Sequence, residues 1–330
     1  MIDTDALTGT VTQGTGGVWR VLTPDGLMHE VSLRGRLKKA DVGRRAGGTI
    51  RRDTEAAAQE TVKLAVGDRV RLERDERGQT LAIAEIRPRT SRLARRAPGG
   101  ARGERVIAAN VDQVVVVFAA ARPDPHPRMI DRFLVIAEAN GLSARIVVNK
   151  VDLVGLDEAR ARFAAYPRAG YPMHFTSAKR GDGLEELRDA LGGRTSVLTG
   201  PSGTGKSSLL NALFPGLDLR VGEISASVNK GRHTTVGALL HPLPASVGGF
   251  VVDTPGLREV GMWELPAERL DQCFPEIRAR RTQCRFADCR HGVEPDCEVR
   301  AAVERGDVSV ERYESYLKLS EELAEEKGEW

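Results

Sequence analysis

The sequence predicts a multidomain α/β protein that consists of a β-barrel, a mostly parallel sheet with helices, and a small helical unit. Up to about Pro98, apolar stretches alternate with Gly, Asp and Pro turns and show no helical period. From Val106, β-branched strands alternate with helical stretches, which is the pattern of a parallel sheet. Beyond Gly256 the sequence turns helical and contains all four cysteines.

We expect the first unit, residues 1–98, to be an OB-type β-barrel, because barrels of this size bind oligonucleotides on one face. An SH3-like barrel or a purely structural module are the alternatives. The Arg-rich stretch from Ser91 to Arg105 contains the structure breakers APGG and no apolar period, which indicates a flexible, basic linker. We place that linker at 99–105, the sheet domain at 106–263 and the helical domain at 264–330.

Composition and charge limit the functional classes. The longest apolar run, VVVVFAAA at Val114–Ala121, is shorter than the roughly 18 to 20 residues that span a bilayer, and the start has no signal-peptide pattern. We therefore expect a cytoplasmic protein without a membrane partner. Residues 1–105 contain 21 Lys and Arg against 14 Asp and Glu, a net charge of +7. The whole chain has a net charge of only +3, so the remaining residues are net negative. This excess favours a polyanionic partner, although a solvated Arg-rich surface without a target would look the same.

A phosphate-binding loop is predicted at GPSGTGKSS, Gly200–Ser208, which fits GxxxxGK[ST] between an apolar strand and a helical stretch. Its glycines let backbone N–H groups converge on phosphate oxygens. Lys206 is expected to reach the β- and γ-phosphates as a catalytic cation, and Ser207 to bind Mg²⁺. The expected nucleotide contacts of this loop are Gly200, Pro201, Ser202, Gly203, Thr204, Gly205, Lys206, Ser207 and Ser208.

Two further motifs predict guanine as the base. NKVD follows the strand ARIVV, and the Asp152 carboxylate would accept hydrogen bonds from guanine N1–H and its exocyclic amine, which adenine cannot satisfy. TSAK ends a later strand and would support the base from its other side. The predicted base-binding residues are Asn149, Lys150, Val151, Asp152, Thr176, Ser177, Ala178 and Lys179.

The switch motifs come after the phosphate loop. VVDTPG places Asp253 at a strand end, within reach of Mg²⁺, and the Gly256 N–H near the γ-phosphate. In the polar stretch NKGRHTT, Thr234 or Thr235 is the candidate second Mg²⁺ ligand, and the sequence does not choose between them. All motifs of a GTPase are thus present, but in the order base, base, phosphate, switch I, switch II. This order predicts a circularly permuted GTPase domain, because all the loops still meet at the carboxyl edge of a parallel sheet.

A zinc site is predicted in the C-terminal unit. Cys284, Cys289, His291 and Cys297 follow a Cx4CxHx5C spacing and supply three thiolates and an imidazole, the ligand set of a closed structural zinc site. An all-cysteine site that recruits Cys273, or unligated core cysteines, are the alternatives. We expect Cys273 to be a buried free thiol. Because such a small unit has little core of its own, bound zinc would supply much of its folding free energy. We expect the zinc and GTP sites to lie in separate cores.

The barrel, NKVD, TSAK, GPSGTGKSS, GRHTT, DTPGLRE and CRFADCRH, in this order, resemble the ribosome small-subunit-dependent GTPase A (RsgA) family over essentially the whole chain. The resemblance implies a bacterial GTPase that binds the 30S subunit and its 16S rRNA, assists late subunit maturation, and hydrolyses GTP to GDP faster when bound there. An RNA-binding module that uses GTP only as a conformational ligand is the alternative. An ATP-using enzyme is disfavoured by NKVD and TSAK, and nothing suggests more than a monomer.

The residue after DTPG predicts slow intrinsic hydrolysis. It is Leu257, where Ras-type GTPases carry the glutamine that orients the attacking water, and leucine cannot form that hydrogen bond. His233, in GRHTT, is the nearest candidate for the catalytic group that positions this water. In the other interpretation, rRNA or another side chain supplies the activation.

Overall fold

The computed structural model describes residues 7–34, 63–74, 80–96, 104–219, 238–253 and 265–328. Its first element is a closed barrel of five strands in the order β1-β2-β3-β5-β4. The strands are β1 Leu7–Thr15, β2 Val18–Leu22, β3 Met28–Leu33, β4 Arg69–Arg74 and β5 Leu81–Ile86. Strands β3 and β5 pair in parallel and the other neighbours are antiparallel. This topology confirms the predicted OB-type barrel.

The barrel interior is filled by side chains from alternate strand positions. Every strand contributes at least one fully buried aliphatic residue, and these residues form one cluster: Val11, Val21, Val31, Val70, Leu72 and Ile83. Burying such side chains stabilises the fold by about 1.5–3 kcal/mol each. The period-2 pattern that predicted strands in this part of the chain therefore produces its core directly.

The Arg-rich stretch after the barrel is not a flexible linker throughout. Arg92–Arg96 (β6) and Glu104–Ala109 (β7) form an antiparallel two-stranded ribbon with a bulge after Leu93. Leu93 is fully buried and packs with Ala108 into the core of the sheet domain. The interpretation of 91–105 as a linker without structure was therefore wrong for these strands, because single apolar residues that have no period still anchored them.

The central element is a six-stranded sheet in the order β10-β9-β8-β11-β13-β12. Its strands are β8 Gln113–Ala119, β9 Ser143–Asn149, β10 Met173–Phe175, β11 Thr195–Thr199, β12 Leu239–Pro242 and β13 Phe250–Asp253. All neighbours are parallel except β12, which pairs antiparallel with β13. The mostly parallel sheet predicted from the sequence is confirmed, and β12 is an edge strand that the prediction did not include.

Helices cover both faces of this sheet and separate two apolar cores. Every residue of β8 is buried, so its side chains alternate between the two cores. The helices in this part of the chain are α1 Pro127–Ala139, α2 Leu156–Arg162, α3 Ala165–Arg168, α4 Leu184–Leu191 and α5 Lys206–Leu213. Burial on both faces explains why these strands appear in the sequence as continuous apolar runs.

The C-terminal unit is helical, as predicted. It contains a 3-10 helix at Ala267–Cys273 and the helices α6 Pro275–Arg278, α7 Glu298–Glu304 and α8 Val310–Gly328. Its core includes Val135 from α1 of the sheet domain, packed with residues such as Phe274 and Tyr316. The two cores are separate clusters, as expected, but α1 contributes side chains to both of them.

A buried ion cluster ties this unit to α1. The guanidinium of Arg312 on α8 bonds Glu276 through Nε at 2.7 Å and Nη2 at 3.1 Å, and bonds Asp131 on α1 through Nη1. Its carbon Cζ lies 4.6 Å from the ring centroid of Phe274. Burial alone would lower the pKa of Arg312, but the two carboxylates outweigh burial and raise it, so the cation persists. Among the described residues, no helix is both long and apolar enough to span a bilayer.

Candidate nucleotide site and metal cluster

The predicted nucleotide motifs meet at the carboxyl edge of the sheet. NKVD follows β9, TSAK follows β10, the phosphate loop follows β11, and Asp253 ends β13. These four strands are parallel, so their carboxyl ends face the same side. The permuted order along the chain thus produces a single site.

The phosphate loop passes very close to its neighbours, and two glycines make this possible. Gly200 has a φ of 130°, and a Cβ there would lie 2.1 Å from the carbonyl oxygen of Val117 on β8. Gly205, with a φ of 87°, would place its Cβ 2.7 Å from Asn149 Nδ2. A side chain at either position would displace the loop from β8 or from NKVD.

Lys206 lies within the loop at the start of α5. Its Nζ donates to the carbonyl oxygens of Gly200 at 2.8 Å and Pro201 at 2.6 Å, and the residue is only 7% exposed. Ser207 beside it is also buried. Both groups lie at a helix N-terminus beside a glycine-rich loop. There the ammonium group can bind phosphate oxygens, and the hydroxyl can bind the metal ion that accompanies them.

Asn149 joins the two base motifs to the phosphate loop. Its Nδ2 donates to the Thr204 carbonyl oxygen at 3.0 Å. Its Oδ1 accepts from the Ala178 N–H at 3.2 Å and from the Thr176 hydroxyl at 3.3 Å. Asn149 is 1% exposed, so its amide is a buried bridge between three loops that are distant in the sequence. Its position fixes the base pocket relative to the phosphate pocket.

Lys150 makes a second bridge, which involves a loop that the sequence analysis missed. Its Nζ donates to the Gly203 carbonyl oxygen at 2.6 Å and to the carbonyl oxygen of Arg122, which lies between β8 and α1. A Cβ on Gly203 would lie 3.6 Å from Pro123 of that loop. The signal that could have revealed this loop is the proline-rich segment ARPDPHP at the carboxyl end of β8.

Asp152 is oriented by TSAK. The Ser177 hydroxyl donates to Asp152 Oδ1 at 2.6 Å. This hydrogen bond is the main cause that holds the pKa of Asp152 below its usual range. The carboxylate is therefore ionised at neutral pH and can accept two N–H donors from a base.

The switch side of the site is described only in part. Asp253 ends β13 in register with Leu198, one residue before the end of β11. This register places Asp253 beside the start of the phosphate loop. The other predicted switch residues, His233, Thr234, Thr235 and Gly256, lie outside the described residues.

The C-terminal cysteines form a compact Cys3His metal-binding cluster. The ligand atoms of Cys284, Cys289, His291 and Cys297 all lie within 4.8 Å of one another. His291 Nδ1 lies 3.5 Å from the sulfurs of Cys284 and Cys297, which lie 3.9 Å apart. Burial and the neighbouring thiols raise the pKa of Cys289 to about 12, and a bound cation would favour its thiolate form. The donor set therefore fits a tetrahedral soft metal ion.

Hydrogen bonds from α8 hold the metal-binding loop. His291 has a φ of 62°, and the Tyr313 hydroxyl donates to its carbonyl oxygen. The Tyr316 hydroxyl donates to the Arg290 carbonyl oxygen at 2.9 Å. His291 Nε2 is buried without a hydrogen-bond partner and lies 3.8 Å from Asp271 Oδ2, beyond hydrogen-bond distance. Cys273 lies outside the cluster as a buried free thiol, and burial raises its pKa to about 12.

Comparisons with known proteins agree with this architecture. The family model of the RsgA GTPases matches residues 86–263. The chain is 60% identical to the small ribosomal subunit biogenesis GTPase RsgA of Gemmatimonas aurantiaca, over 97% of this chain and 98% of that one. This chain belongs to the RsgA GTPase family. A Bacteroides fragilis member is 36% identical over 97% and 98% of the two chains.

Two solved structures share the whole fold. YjeQ from Thermotoga maritima matches with a TM-score of 0.75 and 34% identity, over 97% of this chain and 99% of that one. YloQ, described as a circularly permuted GTPase, matches with a TM-score of 0.71 and 27% identity, over 98% and 97%. The predicted family and the permuted GTPase fold are therefore confirmed, and GTP hydrolysis is the activity of this family.

Proposed function

We propose that this GTPase binds the small ribosomal subunit, assists its late maturation, and hydrolyses GTP faster when bound there. Its relatives at 60% and 36% identity are named small ribosomal subunit biogenesis GTPases. The observation that carries the nucleotide part is the Asn149 amide, which joins NKVD, TSAK and the phosphate loop into one site. We propose that the protein acts in the cytoplasm and as a monomer.

The base would be selected by Asp152. Its carboxylate, oriented by Ser177, would accept from guanine N1–H and the exocyclic amine. Adenine offers no matching pair of donors, and the unpaired carboxylate would then disfavour binding. The stem of Lys150 would support the base while its Nζ fixes the phosphate loop.

Hydrolysis would depend on charge stabilisation at the γ-phosphate. Lys206 would exchange its contacts with the loop carbonyls for phosphate oxygens, where negative charge develops in the transition state. Ser207 and Asp253, with Thr234 or Thr235, would hold Mg²⁺, which neutralises charge on the β- and γ-oxygens. His233 would position the attacking water when the protein is bound to the ribosomal subunit.

The Cys3His cluster would hold one structural zinc ion. It has four protein ligands, so the ion would bind no substrate and would instead stabilise the fold of 264–330. The unit would be placed by α1, which carries residues of both the sheet-domain core and the C-terminal core.

The barrel would contact rRNA through its basic surface. Its described ion pairs include Arg20–Glu30 and Arg71–Glu85, so part of its positive charge is already neutralised. The remaining excess, net +7 over residues 1–105, would be available for phosphates. We propose a division of the chain into 1–98, 99–105, 106–263 and 264–330, with one qualification at the first boundary. Strand β6 lies before 99–105 and β7 begins within it, and the pair packs on the sheet domain.

The test is co-sedimentation with purified 30S subunits in the GTP-analogue, GDP and nucleotide-free states. The proposal predicts tightest binding with the GTP analogue and an increase in GTP turnover on the subunit. Nucleotide-dependent binding without any increase in turnover would instead support an RNA-binding module that uses GTP as a conformational ligand. Equal binding in all three states would contradict the proposal.

A further inference from the structure

A second pocket lies at the amino edge of the sheet, on the opposite side from the phosphate loop. Its volume is about 560 Å³, within the usual 300–1,000 Å³ of small-molecule sites. It is lined by the starts of β8 and β9, the residues before β10 and β11, and α6 of the C-terminal unit. We call it the amino-edge pocket; the lining residues used below are Gln113, Arg145, Arg194, Tyr171, Pro172 and Pro275.

Two arginines converge in this pocket on one neutral acceptor. Arg145 Nε donates to Gln113 Oε1 at 2.9 Å, and Arg194 Nη1 donates to the same oxygen at 3.3 Å. Arg145 Nη1 also lies 2.6 Å from His174 Nε2, a second neutral partner. Gln113 is 2% exposed, and its Nε2 donates to the Ala190 carbonyl oxygen and the Ser196 hydroxyl, both at 2.9 Å. The buried amide is therefore fixed with its oxygen toward the guanidinium groups.

No carboxylate among the described residues lies within ion-pair distance of these two arginines. Two carboxylates, Asp112 and Glu138, also line the pocket. Glu138 pairs with the lining residue Arg278, whereas Asp112 Oδ2 accepts the Thr195 N–H at 2.7 Å and keeps its negative charge. Among the described residues, neither Arg145 nor Arg194 forms an ion pair. Burial, and secondly the charge of Arg194, lower the pKa of Arg145.

We propose that the amino-edge pocket binds the phosphate group of a small phosphorylated molecule. The nitrogens that Gln113 and His174 do not engage are Nη2 of Arg145 and Nε and Nη2 of Arg194. These donors and the two positive charges suit the oxygens of a phosphate group. Tyr171, Pro172 and Pro275 give the pocket a less polar wall for the rest of the ligand. A bound molecule would contact α6 as well as the sheet, and would stabilise the docking of the C-terminal unit. This inference does not depend on the proposed ribosomal function.

The test uses full-length protein saturated with GDP and Mg²⁺, so that the phosphate loop is filled. Inorganic phosphate and ribose 5-phosphate are titrated at constant ionic strength, and binding is followed by ³¹P line broadening. The variants are Arg145→Gln and Arg194→Gln. The matched control is Arg160→Gln, which removes an equal charge from an exposed position on α2. Circular dichroism checks the fold of each variant. Because Arg194 is exposed, the Arg194→Gln variant tests the pocket even if replacement of the more buried Arg145 disturbs the fold.

We expect saturable binding to the wild-type protein, tighter for ribose 5-phosphate than for phosphate. Each pocket variant should weaken it about 10-fold or more, and Arg160→Gln should leave it unchanged. Equal binding by all four proteins, or no saturable binding, would overturn the proposal. A short single-stranded RNA serves as a third probe. If only the RNA showed binding that depends on Arg145, the pocket would be an RNA contact and the small-molecule proposal would be wrong.

Discussion

Replacing Arg312 by methionine should release the C-terminal unit from the sheet domain. The Arg312 side chain is 2% exposed, and its partners Asp131 and Glu276 are 1% and 7% exposed. Its removal leaves two carboxylates buried without a cation, and breaking a buried ion pair in this way costs about 3–5 kcal/mol. If opening is local, this corresponds to roughly 10²- to 10⁴-fold faster amide exchange in α8.

Hydrogen exchange followed by mass spectrometry measures this effect peptide by peptide. The matched control is Arg132→Met, which removes the half-exposed pair with Glu322 between the same two helices and should cost at most about 1 kcal/mol. If Arg312→Met exchanged no faster than Arg132→Met, the ion cluster would not be what holds the two units together.

The loss of stability caused by Arg312→Met should also depend on pH. Burial raises the pKa of Asp131 against the attraction of Arg312, so loss of the cation raises that pKa further. A carboxyl group whose folded pKa lies above its unfolded value favours the folded state at low pH, and this contribution is lost as pH rises through the folded pKa. The penalty should therefore be smaller at pH 5 than at pH 8. A penalty that increased toward acid would refute this reasoning.

Three further predictions concern the nucleotide and metal sites. Asp152→Asn should lower GTP affinity about 10- to 100-fold and favour xanthosine triphosphate, as measured by competition binding, and unchanged GTP affinity would remove Asp152 from the base site. Cys289→Ser should accelerate amide hydrogen exchange in both α8 and α1, because both helices contribute to the C-terminal core, and GDP binding should persist. Purified protein that contains no zinc and still shows normal amide exchange would contradict this. His233→Ala should lower 30S-stimulated turnover about 10²-fold with normal GTP binding, and a fully stimulated variant would place the catalytic group elsewhere.

The parts of this protein that the sequence predicted well are those determined over short distances along the chain. The spacing in Gly200–Ser208 defines a loop by itself, and the apolar run of β8 can only be a strand buried on both faces. The order of the motifs then predicted the permuted sheet, because parallel strands present their loops at one edge.

The missed features depend on contacts between distant positions. Arg312 and Asp131 are 181 residues apart, and nothing local distinguishes a buried arginine from the many exposed ones. The β6–β7 ribbon was missed because Leu93 is a single apolar residue among arginines, and its burial is decided by the sheet domain. The contribution of α1 to the C-terminal core was also missed. Val135 lies on a helix whose opposite face already explained its apolar pattern.

Steady-state GTP hydrolysis, measured with and without purified 30S subunits, tests the proposed function most directly. With Leu257 after DTPG, the free protein should turn over slowly, and a saturating amount of 30S subunits should raise the rate, with no comparable increase for ATP. A rate for GTP that is the same with and without the subunit would contradict the proposal that this GTPase is activated where it acts.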